Sequence, residues 1–208
     1  GAALRLIIRA HGGDRVQALA EAIAPLLGGD VLACLINFPG MMTGEGEAFD
    51  PVLSIPNLPA LLVNSGLPCP TGPIFTAYDQ AAPSAIPEHP PLPDNRTALR
   101  PFLRWLRDNT ENSLESSAMS EHPEITETLG RLQAMPGARL ARMSGSGATC
   151  FALFESQDAA ESAAAQLAAN EPSWRGRPTL LGAMYCWARI GLQGPLLPLW
   201  GAPGVWWR

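Results

Sequence analysis

The 208-residue sequence predicts an α+β fold in two domains, with a boundary near residue 57. Three observations carry this expectation. Apolar residues recur at helical spacing through most of the chain, and short β-type runs stand at 60–64 and on both sides of a Ser-Gly-Ser-Gly turn. A loop punctuated by Pro56 and Pro59 separates the first helical group from the rest.

Residues 1–27 are rich in Ala, Leu and Ile at helical spacing. His11-Gly12-Gly13-Asp14 interrupts them as a helix stop followed by a new N-cap, so two helices are expected. Gly28-Gly29-Asp30 closes the second helix. Val31-Leu32-Ala33-Cys34-Leu35-Ile36 has the length and composition of a buried strand, which would put Asp30 at a helix-to-strand junction. Ala60-Leu61-Leu62-Val63-Asn64 reads as another strand. Thr71 is placed as the N-cap of a short helix running to Tyr78, with Pro73 tolerated in its first turn. Pro83, Pro87, Pro90, Pro91 and Pro93 exclude regular structure over 83–93. Helical patterns resume over 97–109, 113–119 and 123–135, the last with Ile125, Leu129 and Leu132 on one face. Residues 139–143 and 149–154 have strand character around Ser144-Gly145-Ser146-Gly147, and an Ala-rich helix follows over 157–168. From Ala183 the composition turns to Trp, Gly, Pro and Leu with no period, and 183–208 reads either as a docked tail or as an altered reading frame.

Bulk properties narrow the function classes. A net charge of -5 and a pI near 5.2 leave no basic stripe to displace counterions, so nucleic acid is not expected as a partner. No apolar run is long enough to span a membrane, and the arginines in Gly1–Arg9 break the segment too early for a signal peptide. All 14 residues counted as Lys or Arg are Arg, so no residue of this chain can act as a catalytic lysine. Cys34, Cys69, Cys150 and Cys186 form no C-x-x-C pair and have no His at ligand spacing, which favours reduced cytoplasmic thiols over disulfides or zinc.

The alternation of Gly and Ser over 144–147 carries the sharpest chemical signal. Glycines adopt positive φ and let several backbone N–H groups face one anion, although such tetrapeptides also make ordinary turns. Asp30, directly after Gly28-Gly29, reads on its own as a turn residue. His11, His89 and His122 have no partner spacing and read as surface residues, and Trp105 at helical spacing from Phe102 reads as core.

The stretch Pro136-Gly137-Ala138-Arg139-Leu140-Ala141-Arg142-Met143-Ser144-Gly145-Ser146-Gly147-Ala148-Thr149-Cys150-Phe151 resembles the third conserved motif of the 4-diphosphocytidyl-2-C-methyl-D-erythritol kinases, within the GHMP small-molecule kinase superfamily. Further segments resemble that family in the order it requires. Leu27-Gly28-Gly29-Asp30-Val31 is similar to its Gly-Ala-Asp-Val-Pro segment, and Gly44-Glu45-Gly46-Glu47 to the turn after it. Leu62–Gly66 is similar to the strand that opens the C-terminal domain, Pro70–Phe75 to a substrate-facing segment, and Asn112-Ser113-Leu114-Glu115 to an Asn-Asp-Leu-Glu signature. Gly29, Leu32 and Ser113 depart from the pattern. The resemblance covers Gly1 to about Gly182.

The resemblance implies a two-domain GHMP kinase. Residues 1–57 would be the remainder of an N-terminal, ATP-binding domain of the ribosomal S5 domain 2-like type, and 58–182 a ferredoxin-like C-terminal domain. It implies ATP as the phosphoryl donor with Mg²⁺ carried by the nucleotide, Asp30 as catalytic carboxylate, and Ser144, Gly145, Ser146 and Gly147 as nucleotide-binding residues. Thr71 and Phe75 would face a cytidine diphosphate-linked substrate, with Phe75 stacking on the cytosine. Gly1–Arg5 resembles the helix just after the family's phosphate loop, which implies an N-terminally truncated kinase whose loop and catalytic Lys lie upstream of Gly1. Two other readings stand beside this one: a non-catalytic fragment or interaction module, and a sibling GHMP kinase acting on another small alcohol. A homodimer is compatible with all three.

Overall fold

The computed structural model describes residues 1–44, 46, 48–52, 55–81, 91–93 and 97–182. The expected proline-rich excursion over 83–93 falls mostly outside the described residues, as does the 183–208 tail. The chain divides into two compact units, one within residues 1–55 and one over Pro56–Gly182.

The N-terminal unit opens with α1 (Ala2–His11) and α2 (Asp14–Leu27), separated by Gly12 and Gly13, both at positive φ. α3 (Gly29–Ile36) follows directly, and a hairpin of β1 (Gly40–Thr43) and β2 (Ala48–Pro51) completes the unit with Gly40 opposite Pro51. α3 corrects the expected strand over 31–36, and Asp30 therefore sits between two helices. A short apolar run does not by itself separate a buried strand from a buried helix. The flanking residues decide it. Gly28 at φ 144° caps α3, Asp30 lies in its first turn where the helix dipole favours an anion, and Asn37 in the left-handed region ends it. Leu4, Ala20, Ala24 and Leu35 form the core of this unit, with Ile8, Ile23, Val31 and Leu32 packed around them.

The second unit is built on an antiparallel sheet. β3 (Leu58–Asn64) is followed by α4 (Thr71–Gln80), α5 (Leu99–Asn109), α6 (Glu115–Glu121) and α7 (Pro123–Gln133). Then come β4 (Ala138–Met143), β5 (Cys150–Phe154), α8 (Gln157–Asn170) and β6 (Arg175–Leu181). The strand order is β4-β5-β3-β6. Leu61 pairs with Ala152 and Val63 with Cys150, so these four share one sheet face. They join Met143, Phe154, Ile74, Ile125, Leu132, Ala163 and Leu167 in one core under α4, α6, α7 and α8. On β5 all five residues are buried, so the opposite face is covered too. α5 contacts β4 and buries Phe102, Leu103 and Leu106. Trp105 stacks on Phe102 with ring centroids 6.3 Å apart but is only half-buried, so it lies at the edge of the core and not within it as its spacing suggests.

β1, β2 and β6 were not anticipated. Thr71 is the first residue of α4 and not its cap. Pro70 holds the cap position and makes no side-chain cap hydrogen bond. His11 is exposed, whereas His122 is half-buried, with Nδ1 3.1 Å from Glu124 Oε1; His89 lies outside the described residues.

Candidate functional site

The connection between β4 and β5 is a tight loop. Ser144 N–H donates to Thr149 O at 2.8 Å and Gly147 N–H to Ser144 O at 3.1 Å. Gly145 at φ 56° and Gly147 at φ 91° supply the left-handed turns, which explains why glycine alternates with serine here. Gly147 is also bound by space: a Cβ there would stand 2.9 Å from Met143 Sδ and 3.2 Å from both Cys69 Sγ and Ile125 Cδ1. Among the described residues the amides of Gly145 and Ser146 donate to no protein acceptor. Two consecutive open N–H groups in a glycine turn form the kind of concavity that binds a phosphate oxygen.

Neighbouring segments brace this loop. Thr71 Oγ1 and Ser146 Oγ are 3.0 Å apart, and Cys69 Sγ donates to Ser146 O at 3.2 Å. Asn112 Nδ2 donates to Met143 O at 2.9 Å and to Gly145 O at 2.8 Å. Glu115 Oε2 accepts from Met143 N–H at 2.7 Å. Asn64 Nδ2 donates to Thr149 Oγ1 at 2.9 Å, while its Oδ1 accepts from Gly66 N–H at 2.8 Å in an Asx-type turn. Phe75 lies one helical turn beyond Thr71 on α4 and is 38% exposed, a free aromatic on the helix whose first residue touches the loop.

The electrostatics under the loop are set by burial. Burial, aided by the Glu115 carboxylate and by Cys69, pushes the Cys150 thiol up to about 12. Burial and then Glu124 raise Cys69, so neither thiol is an activated nucleophile. Arg142 is buried, and desolvation lowers its pKa against the opposing pull of Glu115 and Glu111; its Nη1 donates to Thr110 Oγ1 at 2.8 Å. Among the described residues no group of three or more His, Cys, Asp or Glu side chains could hold a metal ion.

Of the residues singled out from sequence, Thr71 and Ser144–Gly147 come together, and Phe75 shares their helix. Asp30 belongs to the N-terminal unit, where it is exposed on the first turn of α3. Gly46, at φ 105°, sits so close to the Gly29 backbone that any Cβ would collide with it. Gly46 is thus packed back against the residue just before Asp30. Asn64, Cys69, Asn112, Glu115 and Thr149 were not assigned roles from sequence. The Asn112–Glu115 segment was visible as a motif, but the partners of its side chains lie about thirty residues away and leave no local pattern. Ser113, the departure inside that motif, has a buried hydroxyl that makes no hydrogen bond among the described residues.

Residues 95–173 match the family described as GHMP kinases C terminal. Over 183 residues the chain is 44% identical to 4-diphosphocytidyl-2-C-methyl-D-erythritol kinase of Hyphomonas neptunium (strain ATCC 15444), covering 87% of this chain and 60% of that protein. It is 40% identical over 185 residues to the protein of the same name from Caulobacter sp. (strain K31), covering 89% and 63%. Among solved structures it is similar to one titled "Crystal structure of 4-(cytidine 5'-diphospho)-2C-methyl-D-erythritol kinase". The TM-score is 0.64 at 32% identity, with 85% of this chain and 61% of that one covered. The chain spans about three-fifths of the length of the curated relatives it matches.

Proposed function

We propose that this chain, which carries a GHMP kinase fold and whose residues 95–173 belong to the GHMP kinases' C-terminal family, serves the ATP-dependent phosphorylation of 4-diphosphocytidyl-2-C-methyl-D-erythritol at its 2-hydroxyl. That reaction belongs to the non-mevalonate route to isoprenoid precursors, in the cytoplasm. In this reading residues 1–57 are part of an S5 domain 2-like ATP-binding domain and 58–182 a ferredoxin-like domain. The observation that carries the proposal is the pair of open amides at Gly145 and Ser146, in a loop tied to the helix that bears Thr71 and Phe75.

Phosphoryl transfer needs little covalent help from protein; positioning and charge compensation do most of it. ATP supplies the phosphoryl group, and the Mg²⁺ it carries offsets part of the phosphate charge. The Gly145 and Ser146 amides fit that anion, because among the described residues they are donors without a protein acceptor. Thr71 has a hydroxyl for substrate and loop alike, and Phe75 offers a flat face to the cytosine, a contact of about 1–3 kcal/mol. Asp30 orients the 2-hydroxyl and takes its proton as the new P–O bond forms and ADP departs.

The test is ADP release by the protein that carries this chain, measured with and without the cytidine diphosphate-linked substrate. Turnover should depend on that substrate and not arise with mevalonate or homoserine in its place. Turnover indifferent to it, or none at all, overturns the reading.

A further inference from the structure

We propose that Asn112 and Glu115 are positioning residues that aim the two open amides of the glycine loop and keep the Gly145–Ser146 peptide from turning over. The inference rests on the phosphate-binding reading of that loop and adds a function for side chains whose partners are backbone groups of β4 and the loop.

The argument begins with peptide planarity. A trans peptide sets its C=O and the next residue's N–H on opposite sides of one plane, so holding the carbonyl aims the amide. Gly145 O accepts from Asn112 Nδ2 at 2.8 Å, which turns the Ser146 N–H away from Asn112. Ser144 O accepts from Gly147 N–H at 3.1 Å, which aims the Gly145 N–H in the same manner. The first of these carbonyls follows a glycine at φ 56°, where rotation meets little steric resistance and a Cβ would touch nothing within 4 Å. Local sterics therefore do not keep this peptide oriented; the Asn112 carboxamide does. A reversed peptide would present a carbonyl oxygen to the phosphate in place of an N–H.

The carboxamide is itself held. Asn112 Oδ1 accepts from Leu114 N–H at 3.0 Å, which leaves Nδ2 to face the loop, and Asn112 O accepts from Glu115 N–H at 2.9 Å. Nδ2 divides between Met143 O and Gly145 O, and Glu115 Oε2 takes the Met143 N–H at 2.7 Å. The 112–115 turn thus grips both polar groups of Met143 and the Gly145 carbonyl. It fixes the end of β4 and the first peptides of the loop as one piece.

The variant that isolates this role is Asn112→Asp. It keeps the shape and the acceptor for Leu114 N–H, but sets an oxygen against the two loop carbonyls. In the full protein the Kd for ATP, and for tripolyphosphate as a bare anion probe, should rise at least about tenfold, equivalent to about 1.4 kcal/mol. The Kd for the cytidine diphosphate-linked substrate should move less than about twofold, and deuterium exchange over 143–149 should accelerate. Glu115→Gln keeps an acceptor for Met143 N–H and should restore most of the ATP affinity lost in Glu115→Ala. If Asn112→Asp does not fold, Asn112→Ser decides, since its hydroxyl can still cap Leu114 but is too short to reach the loop. Variants that bind ATP as the wild type does, with unchanged exchange over 143–149, overturn the proposal. A wild-type protein that binds neither ATP nor tripolyphosphate overturns the phosphate reading instead, and the brace then stands or falls on the exchange of 143–149 alone.

Discussion

The two units bury their apolar residues very differently. Over Pro56–Gly182 both sheet faces are covered, and Leu61, Val63, Ile74, Cys150, Ala152 and Phe154 are fully buried in one core. The N-terminal unit buries only Leu4, Ala20, Ala24 and Leu35 in its cluster, two of them alanines. Leu26 and Leu6 remain 84% and 65% exposed there. A glycine loop can serve as a fixed donor array only on a support that does not yield, and the C-terminal unit supplies one. The N-terminal unit presents Asp30 on a lighter frame.

The sharpest way to break this contrast is to truncate one residue in each unit. Phe154→Ala opens a cavity between β5 and the helices and should cost about 3–5 kcal/mol. Leu26→Ala, at a site already in water, should stay within about 0.5 kcal/mol. Urea-dependent hydrogen exchange read separately over 150–154 and over α2 measures both, without requiring the chain to unfold in one step. Equal losses would mean that the N-terminal unit owes its stability to the same core.

Within the loop the contrast narrows to two glycines. Gly147→Ala must place its Cβ against Met143 Sδ at 2.9 Å with φ at 91°. Strain and overpacking, each about 1–3 kcal/mol, should together cost about 2–6 kcal/mol and weaken ATP binding. Gly145→Ala meets no atom within 4 Å and pays only for its left-handed φ of 56°, about 1–2 kcal/mol. A Gly145→Ala protein less stable than Gly147→Ala would refute the packing account.

Cys150 tests the dryness of the same core by pH. Its folded pKa of about 12 lies above the ordinary 9.0, so the folded state keeps the proton longer than the unfolded one. The thiol's contribution is complete below about pH 9 and is lost as pH rises toward 12, at up to about 1.4 kcal/mol per pH unit. Wild type should therefore lose stability between pH 9 and 10.5 more steeply than Cys150→Ala. Parallel curves would show that water reaches the thiol.

Legibility in the sequence follows the same division. Most elements of the C-terminal unit announce themselves by period and punctuation: Ile125, Leu129 and Leu132 at helical spacing, and β-type runs around a glycine turn. β6 did not, because Arg175-Gly176-Arg177-Pro178 reads as loop and becomes strand only by pairing with β3. Over 31–36 an unbroken apolar run suited either element, and the caps at Gly28 and Asn37 outweighed composition. At the site, the loop glycines were legible because their positive φ is a local property, whereas Thr71 meets Ser146 across 75 residues and its cap role did not hold. The donors Asn64 and Asn112 were not legible, because each acts on backbone or hydroxyl groups distant in sequence.

Asp30 tests whether the lighter unit carries chemistry. It is exposed on the first turn of α3, where an anion interacts with the helix N-terminus for a few tenths of a kcal/mol and Asn is nearly as well tolerated. Asp30→Asn should therefore leave the exchange of α2 and α3 unchanged within about 0.5 kcal/mol. An amide cannot take the hydroxyl proton, so kcat should fall at least about tenfold, about 1.4 kcal/mol of barrier, while the Kd for ATP holds. Loss below tenfold removes Asp30 from the chemistry. A matching rise in exchange across α3 would make it a helix-start residue instead, and the division between a rigid phosphate support and a light reactive unit would fail at its reactive end.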